Sequence, residues 1–185
     1  MEKIIFNKHL ICHPGIVCNT IQTVQVKVES EPQGNLQLSY ELTGDLAQIH
    51  IPEPQPPAAV DGLWEHTCFE MFVAVEDEDE YHEFNFSPSG QWAAYAFSSY
   101  RVGSAWAASR RPVIRFARSN EHLLLEAVIA AADLPRNITG KPLQLGLAAV
   151  IEAKDGSCSY WALRHPEARP DFHHRAGFIL SLNQT

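Results

Sequence analysis

At 185 residues and 20.7 kDa, with 45% hydrophobic and 19% charged residues, the chain has the composition of a globular protein built around one core. Its 22 acids against 14 bases leave a formal charge of −8, which argues against nucleic-acid or anionic-membrane partners, and Arg110-Arg111 is too small a basic patch to reverse that. Apolar runs such as 123–132 fall far short of the roughly 20 residues that a membrane-spanning helix needs.

From Met1 to Ile11 one acid and two lysines surround the short run Ile4-Ile5-Phe6, so no secretory core is expected and the cytoplasm is the expected compartment. Cys12, Cys18, Cys68 and Cys158 show no Cys-x-x-Cys spacing and are expected as reduced thiols. Period-two alternation then predicts strands over 23–28, where Val24, Val26 and Val28 share a face, and over 36–42, where Leu36, Leu38, Tyr40 and Leu42 do. Glu31-Pro32-Gln33-Gly34 between them is turn chemistry. Pro52, Pro54, Pro56 and Pro57 make 51–61 a surface loop.

Further short β-rich runs follow at 68–76, 81–87, 91–99, 113–116, 123–131, 143–151, 160–163 and 178–182. The alanine-rich stretch 127–132 is cut by Pro135 and reads as a strand followed by a turn. About ten strands with short turns, and no internal repeat, predict a single all-β domain over 1–185: an antiparallel β-sandwich of jelly-roll or immunoglobulin-like type.

Residues 64–101 carry the most information. Phe69, Met71, Val73 and Val75 form one apolar face, and His82, Phe84 and Phe86 form the next. A four-residue acidic loop, 77–80, pairs Glu76 with Tyr81 and puts both sets on the core side. Pro88-Ser89-Gly90 predicts a tight hairpin that pairs Ser87 with Gln91 and turns Trp92, Ala94 and Ala96 inward. The opposite face then collects Glu70, Glu83, Asn85, Tyr95 and, if alternation persists, Arg101, a set with the directional hydrogen bonds that a polyhydroxylated ligand requires. A polar, solvated sheet face is the competing reading, in which a Glu–Arg cross-strand pair adds only about 0.2–1 kcal/mol.

The run Leu63-Trp64-Glu65-His66-Thr67-Cys68-Phe69-Glu70-Met71-Phe72-Val73, with Tyr81-His82-Glu83-Phe84-Asn85-Phe86-Ser87-Pro88-Ser89-Gly90-Gln91-Trp92 and the closing Pro170-Asp171-Phe172-His173-His174-Arg175, resembles the DOMON-like proteins related to family 9 carbohydrate-binding modules, in a free-standing bacterial branch. The likeness runs from about Val24 to Leu182. It implies a β-sandwich whose relatives bind sugars or haem, with no activity to carry over. In sugar-binding relatives aromatic side chains clamp the sugar, which points to the loop tryptophans Trp64 and Trp106.

The expectation is therefore a non-catalytic module for a small-molecule ligand of carbohydrate type, held by Trp64, Glu70, Glu83, Asn85, Tyr95, Arg101 and Trp106. The alternatives are a haem- or metal-binding sandwich and a protein-interaction module. Haem would draw on Met71 or Met1. A metal would draw on His165, Asp171, His173 and His174, with Glu167 nearby and His66 from another loop, although adjacent histidines point apart in extended chain. The acidic loop 76–80 lacks the spacing of an EF-hand calcium loop and reads as a solvated tip. Glu70 and Glu83 are a conceivable glycosidase pair, but no G-x-S-x-G, P-loop or G-x-G-x-x-G is present.

Overall fold

The computed structural model describes residues 5–31, 33–137 and 139–183. Twelve strands run through them: β1 (Ile5–Cys12), β2 (Ile21–Ser30), β3 (Leu36–Gly44), β4 (Cys68–Val75), β5 (Tyr81–Phe86), β6 (Trp92–Ser99), β7 (Val102–Ser104), β8 (Val113–Arg118), β9 (His122–Ile129), β10 (Leu143–Glu152), β11 (Cys158–Ala162) and β12 (Leu180–Leu182). All the strand pairs are antiparallel. The helical segments are short 3-10 turns; no described helix is long and apolar enough to cross a membrane.

The strands form one ribbon in the order β7-β6-β5-β4-β10-β11-β1-β2-β3-β9-β8, with β12 added on β10. Strand β1 is where the ribbon folds into two layers: Ile5–Leu10 pair with β2, whereas Ile11 and Cys12 pair with β11. The sequence reading has no strand over Ile5–Cys12 or Val102–Ser104. Both are sheet-joining or edge segments with little burial, so neither shows apolar alternation.

Between the layers lies the core. Val24, Val26, Val28, Leu36, Leu38, Tyr40 and Leu42 from one layer meet Phe69, Met71, Val73, Phe84, Phe86, Leu145 and Leu147 from the other. Tyr40 ties the layers directly: its ring lies 5.0 Å from Phe69, and its hydroxyl donates to the Glu70 carbonyl at 2.7 Å. Met71 is fully buried here and offers no surface ligand to a haem; Met1 lies outside the described residues. The turn before β3 has Gly34 at φ 82° donating to the Glu31 carbonyl; Pro32 lies outside the described residues.

The β4–β5 hairpin differs in register from the expectation. Tyr81 pairs with Ala74, not Glu76, because the Glu76 N–H donates to the Pro142 carbonyl and Asp77 turns the chain at φ 62°. The slip is of two residues, so side-chain parity survives and both apolar sets still face the core. The next hairpin has the expected register: Ser87 N–H donates to the Gln91 carbonyl at 3.0 Å, and Gly90 sits at φ 88°. The acidic tip is exposed, with Asp77 paired to Lys141 at 3.1 Å.

The outer face of the β6-β5-β4-β10-β11 layer is not bare. The segment 164–178 crosses it and is anchored by Phe178, which packs on Phe72 and Tyr81. Gly146 of β10 makes room for that ring, since a Cβ there would lie 2.7 Å from Phe178 Cδ1. Gly146→Ala is thus expected to destabilise the fold by about 1–3 kcal/mol, as overpacking does, which urea unfolding would measure. A Gly146→Ala protein as stable as the wild type would show that the segment is loosely held.

Candidate functional site: a covered cavity on the outer sheet face

Side chains that alternate away from the core build the floor of a cavity of about 540 Å³. Glu70 and Phe72 come from β4, Glu83 from β5, Tyr95 and Phe97 from β6, Val150 from β10, and Cys158 and Tyr160 from β11. One wall is the 3-10 turn Leu63–Glu65, which presents Trp64 and Glu65; the other is Pro170, Phe172 and His173 with Arg101.

The structure brings together Trp64, Glu70, Glu83, Tyr95 and Arg101 of the sequence-derived set. The Trp64 indole is 43% exposed and stands edge-on to Tyr95, with ring centroids 5.8 Å apart. Arg101 arrives by a different route from the expected alternation. It sits after the end of β6 at φ 57°, and its guanidinium donates to Asp171 at 2.9 Å.

Two residues of the set stand elsewhere. Asn85 is fully buried beneath the cavity and donates through Nδ2 to Glu83 Oε1 at 2.8 Å, so it positions a carboxyl and does not line the space. Trp106 lies on the opposite side of the sheet, 4.3 Å from the His82 ring and 6.2 Å from Phe84, packed against the core. It is held there because the chain that follows it is anchored at Asp133, whose carboxylate accepts from the Ser109 and Arg110 N–H groups. Trp64 and Trp106 therefore do not share a cavity, whereas Trp64 lines one together with Tyr160 and Phe172.

The metal candidates of the closing segment do not converge either. His165 Nε2 bonds the Ile11 carbonyl, and His174 caps the turn Arg175–Gly177 and pairs with Glu167 at 3.3 Å. Asp171 accepts from Tyr100 and Arg101. His66 meets His50 and Glu152 instead.

His173 belongs to the cavity. Tyr81 Oη accepts from the Arg101 N–H at 3.0 Å and so donates its own proton to His173 Nδ1 at 2.9 Å. That assigns the remaining ring proton to Nε2, which faces Glu83 Oε2 at 3.6 Å. Tyr81 also stacks on Phe97 at 4.7 Å. Periodicity could not have found Phe172 and His173, which reach the site across a loop.

The electrostatics follow from burial. Glu70 is 3% exposed, and desolvation together with the neighbouring Glu83 charge pushes its pKa well above the usual carboxylate range. Glu83 is raised to about 7 by burial, which the Asn85 hydrogen bond and the Arg101 charge offset only in part. Burial and Arg101 lower His173 to about 4, so the imidazole is neutral near pH 7. Glu70 Oε1 is buried with no hydrogen-bond partner, an unmet acceptor or donor at the floor. The cavity thus combines aromatic walls with two acids of high pKa, of which Glu70 is able to donate a proton as well as accept one.

No family model and no curated protein matches the chain. Among solved structures it is similar to a protein of Bacteroides uniformis ATCC 8492 provisionally described as carbohydrate-binding, at 18% identity and a TM-score of 0.60, with 96% of this chain and 86% of that one covered. At that identity the likeness is one of fold: the chain is an all-β, antiparallel sandwich with the architecture of that protein.

Proposed function

We propose that this chain is a single DOMON-like β-sandwich domain that binds a carbohydrate in the outer-face cavity and does no chemistry on it. The observation that carries the reading is the buried Glu70 carboxyl, whose Oε1 has no hydrogen-bond partner, on the floor of a cavity lined by the rings of Trp64, Tyr95, Phe97 and Phe172. Aromatic rings cover the C–H faces of a pyranose, while its hydroxyls exchange hydrogen bonds with Glu70, Glu83 and Arg101 in place of water. The volume lies within the usual range of small-molecule sites. The description of the Bacteroides uniformis protein supports the same ligand class.

Two buried acids also set a preference. Above pH 7, where Glu83 carries its charge, neutral or amine-bearing sugars are expected to bind better than uronic acids, because a ligand carboxylate would face the Glu83 carboxylate in the cavity.

The test is thermal unfolding of the whole protein against sugars, amino sugars, uronic acids, sugar phosphates and nucleotide sugars. A ligand at 100 times its dissociation constant raises the midpoint by roughly 5–10 °C. A flat panel would overturn the reading, and hydrolysis of model glycosides that is lost in Glu70→Gln would replace binding by catalysis.

A further inference from the structure

Away from the cavity floor, three side chains from separate stretches of chain meet at one point. His50 Nδ1 lies 2.6 Å, and His66 Nδ1 2.8 Å, from the same oxygen, Glu152 Oε2, and the donor atoms of all three residues fall within 4.8 Å of one another. The histidines are half exposed, with 50% and 54% of their side chains accessible, and the imidazole rings stand edge to face at 5.6 Å.

Their backbones are fastened independently of the side chains. His50 N–H donates to the Glu152 carbonyl, and Lys154 N–H donates to the Gln48 carbonyl. Buried Thr67, next to His66, donates its hydroxyl to the His50 carbonyl at 2.6 Å and accepts from the Glu152 N–H at 3.1 Å. The three side chains therefore leave a rigid frame at fixed positions.

We propose that His50, His66 and Glu152 form a binding site for a divalent ion of the zinc class. Two imidazole nitrogens and one carboxylate oxygen are the donors such ions favour, whereas calcium and magnesium take oxygen shells. Around a tetrahedral ion with bonds of about 2.0–2.1 Å, ligand atoms stand roughly 3.3 Å apart. The two histidine–glutamate contacts need to open by roughly half an ångström, and the two imidazole nitrogens, within 4.8 Å of each other, to settle at the same spacing, which exposed imidazoles accommodate by small rotations. Each imidazole now donates through Nδ1; on coordination Nδ1 gives its lone pair to the ion and the ring proton sits on Nε2, facing water. Proton count is unchanged when both rings are neutral.

Position gives the site a consequence. Glu152 ends β10 opposite Cys158, which lines the cavity, and His66 follows directly on the turn that carries Trp64 and Glu65. A bound ion fastens that turn to the end of β10, at the rim of the cavity. The site does not depend on the sugar reading.

Chelator-stripped whole protein titrated with zinc chloride, followed by calorimetry and elemental analysis, tests this. The expected result is one zinc per chain and a midpoint raised by roughly 5–10 °C with zinc at 100 times its dissociation constant, with no shift from calcium. Glu152→Gln and, separately, His66→Ala should each weaken zinc by at least the roughly 10–100-fold that loss of an outer-sphere partner costs. His66→Ala, at an exposed position, should keep the midpoint of the metal-free protein close to the wild type. Absence of stoichiometric zinc binding, or binding that both variants leave unaltered, overturns the proposal and reduces the cluster to hydrogen bonds that hold a loop.

Discussion

Glu83→Gln is expected to stabilise the protein progressively as pH rises, by about 3 kcal/mol near pH 8. Glu83 is held at about 7 in the folded state, against 4.5 for an ordinary glutamate, mainly because burial penalises its charge. The folded state therefore keeps a proton that the unfolded chain gives up between those values. Stability from this group is present below pH 4.5 and is lost as pH rises through about 7.

His173 acts with the opposite sign. Held at about 4 against 6.5, it lets the unfolded chain bind a proton first as pH falls, so its stability is present above 6.5 and is lost toward 4. In the wild type the rising His173 slope offsets only one of two falling slopes between 4.5 and 6.5, because Glu70 is raised as Glu83 is, so stability should fall as pH rises there. Glutamine keeps an Oε1 acceptor for Asn85 Nδ2 but cannot ionise, so the variant loses the Glu83 slope and the part of the Glu70 shift that the Glu83 charge causes, leaving the His173 slope opposed by Glu70 alone. Urea unfolding of the pair at several pH values measures this. A difference between the two proteins that does not change with pH would show that Glu83 is not buried as a charge.

Trp64→Ala should weaken sugar binding at least tenfold, or about 1.4 kcal/mol, while leaving the unliganded protein nearly as stable as before. The indole touches Tyr95 and faces the cavity with much of its surface still exposed, so its contacts become large only when a ligand covers it. Trp106→Ala should do the reverse. Its ring packs on His82 and Phe84 against the core, so the expected loss is in folding stability, with sugar affinity unchanged. Calorimetry and unfolding on the two variants separate these outcomes, and equal affinities for wild type and Trp64→Ala would sink the proposed site.

The amino-acid sequence by itself determined the all-β class, most strand positions and the two faces of β4 and β5. Those properties are local: a pleated strand turns alternate residues to opposite sides, and burial of one side leaves its mark in the period. Glu70, Glu83 and Tyr95 were legible for that reason, and the two-residue slip at the acidic hairpin did them no harm because it preserves parity.

Only the tertiary structure decided what covers that face. Phe172 and His173 arrive through a loop with no period, the Arg101 backbone is turned at φ 57°, and Trp106 is carried to the far side by chain anchored at Asp133. The meeting of His50, His66 and Glu152 was equally hidden, since their neighbourhood depends on backbone hydrogen bonds between segments 86 and 102 residues apart in sequence. Long-range pairing of this kind is set by how the layers and loops pack together, which no local pattern of residue types records.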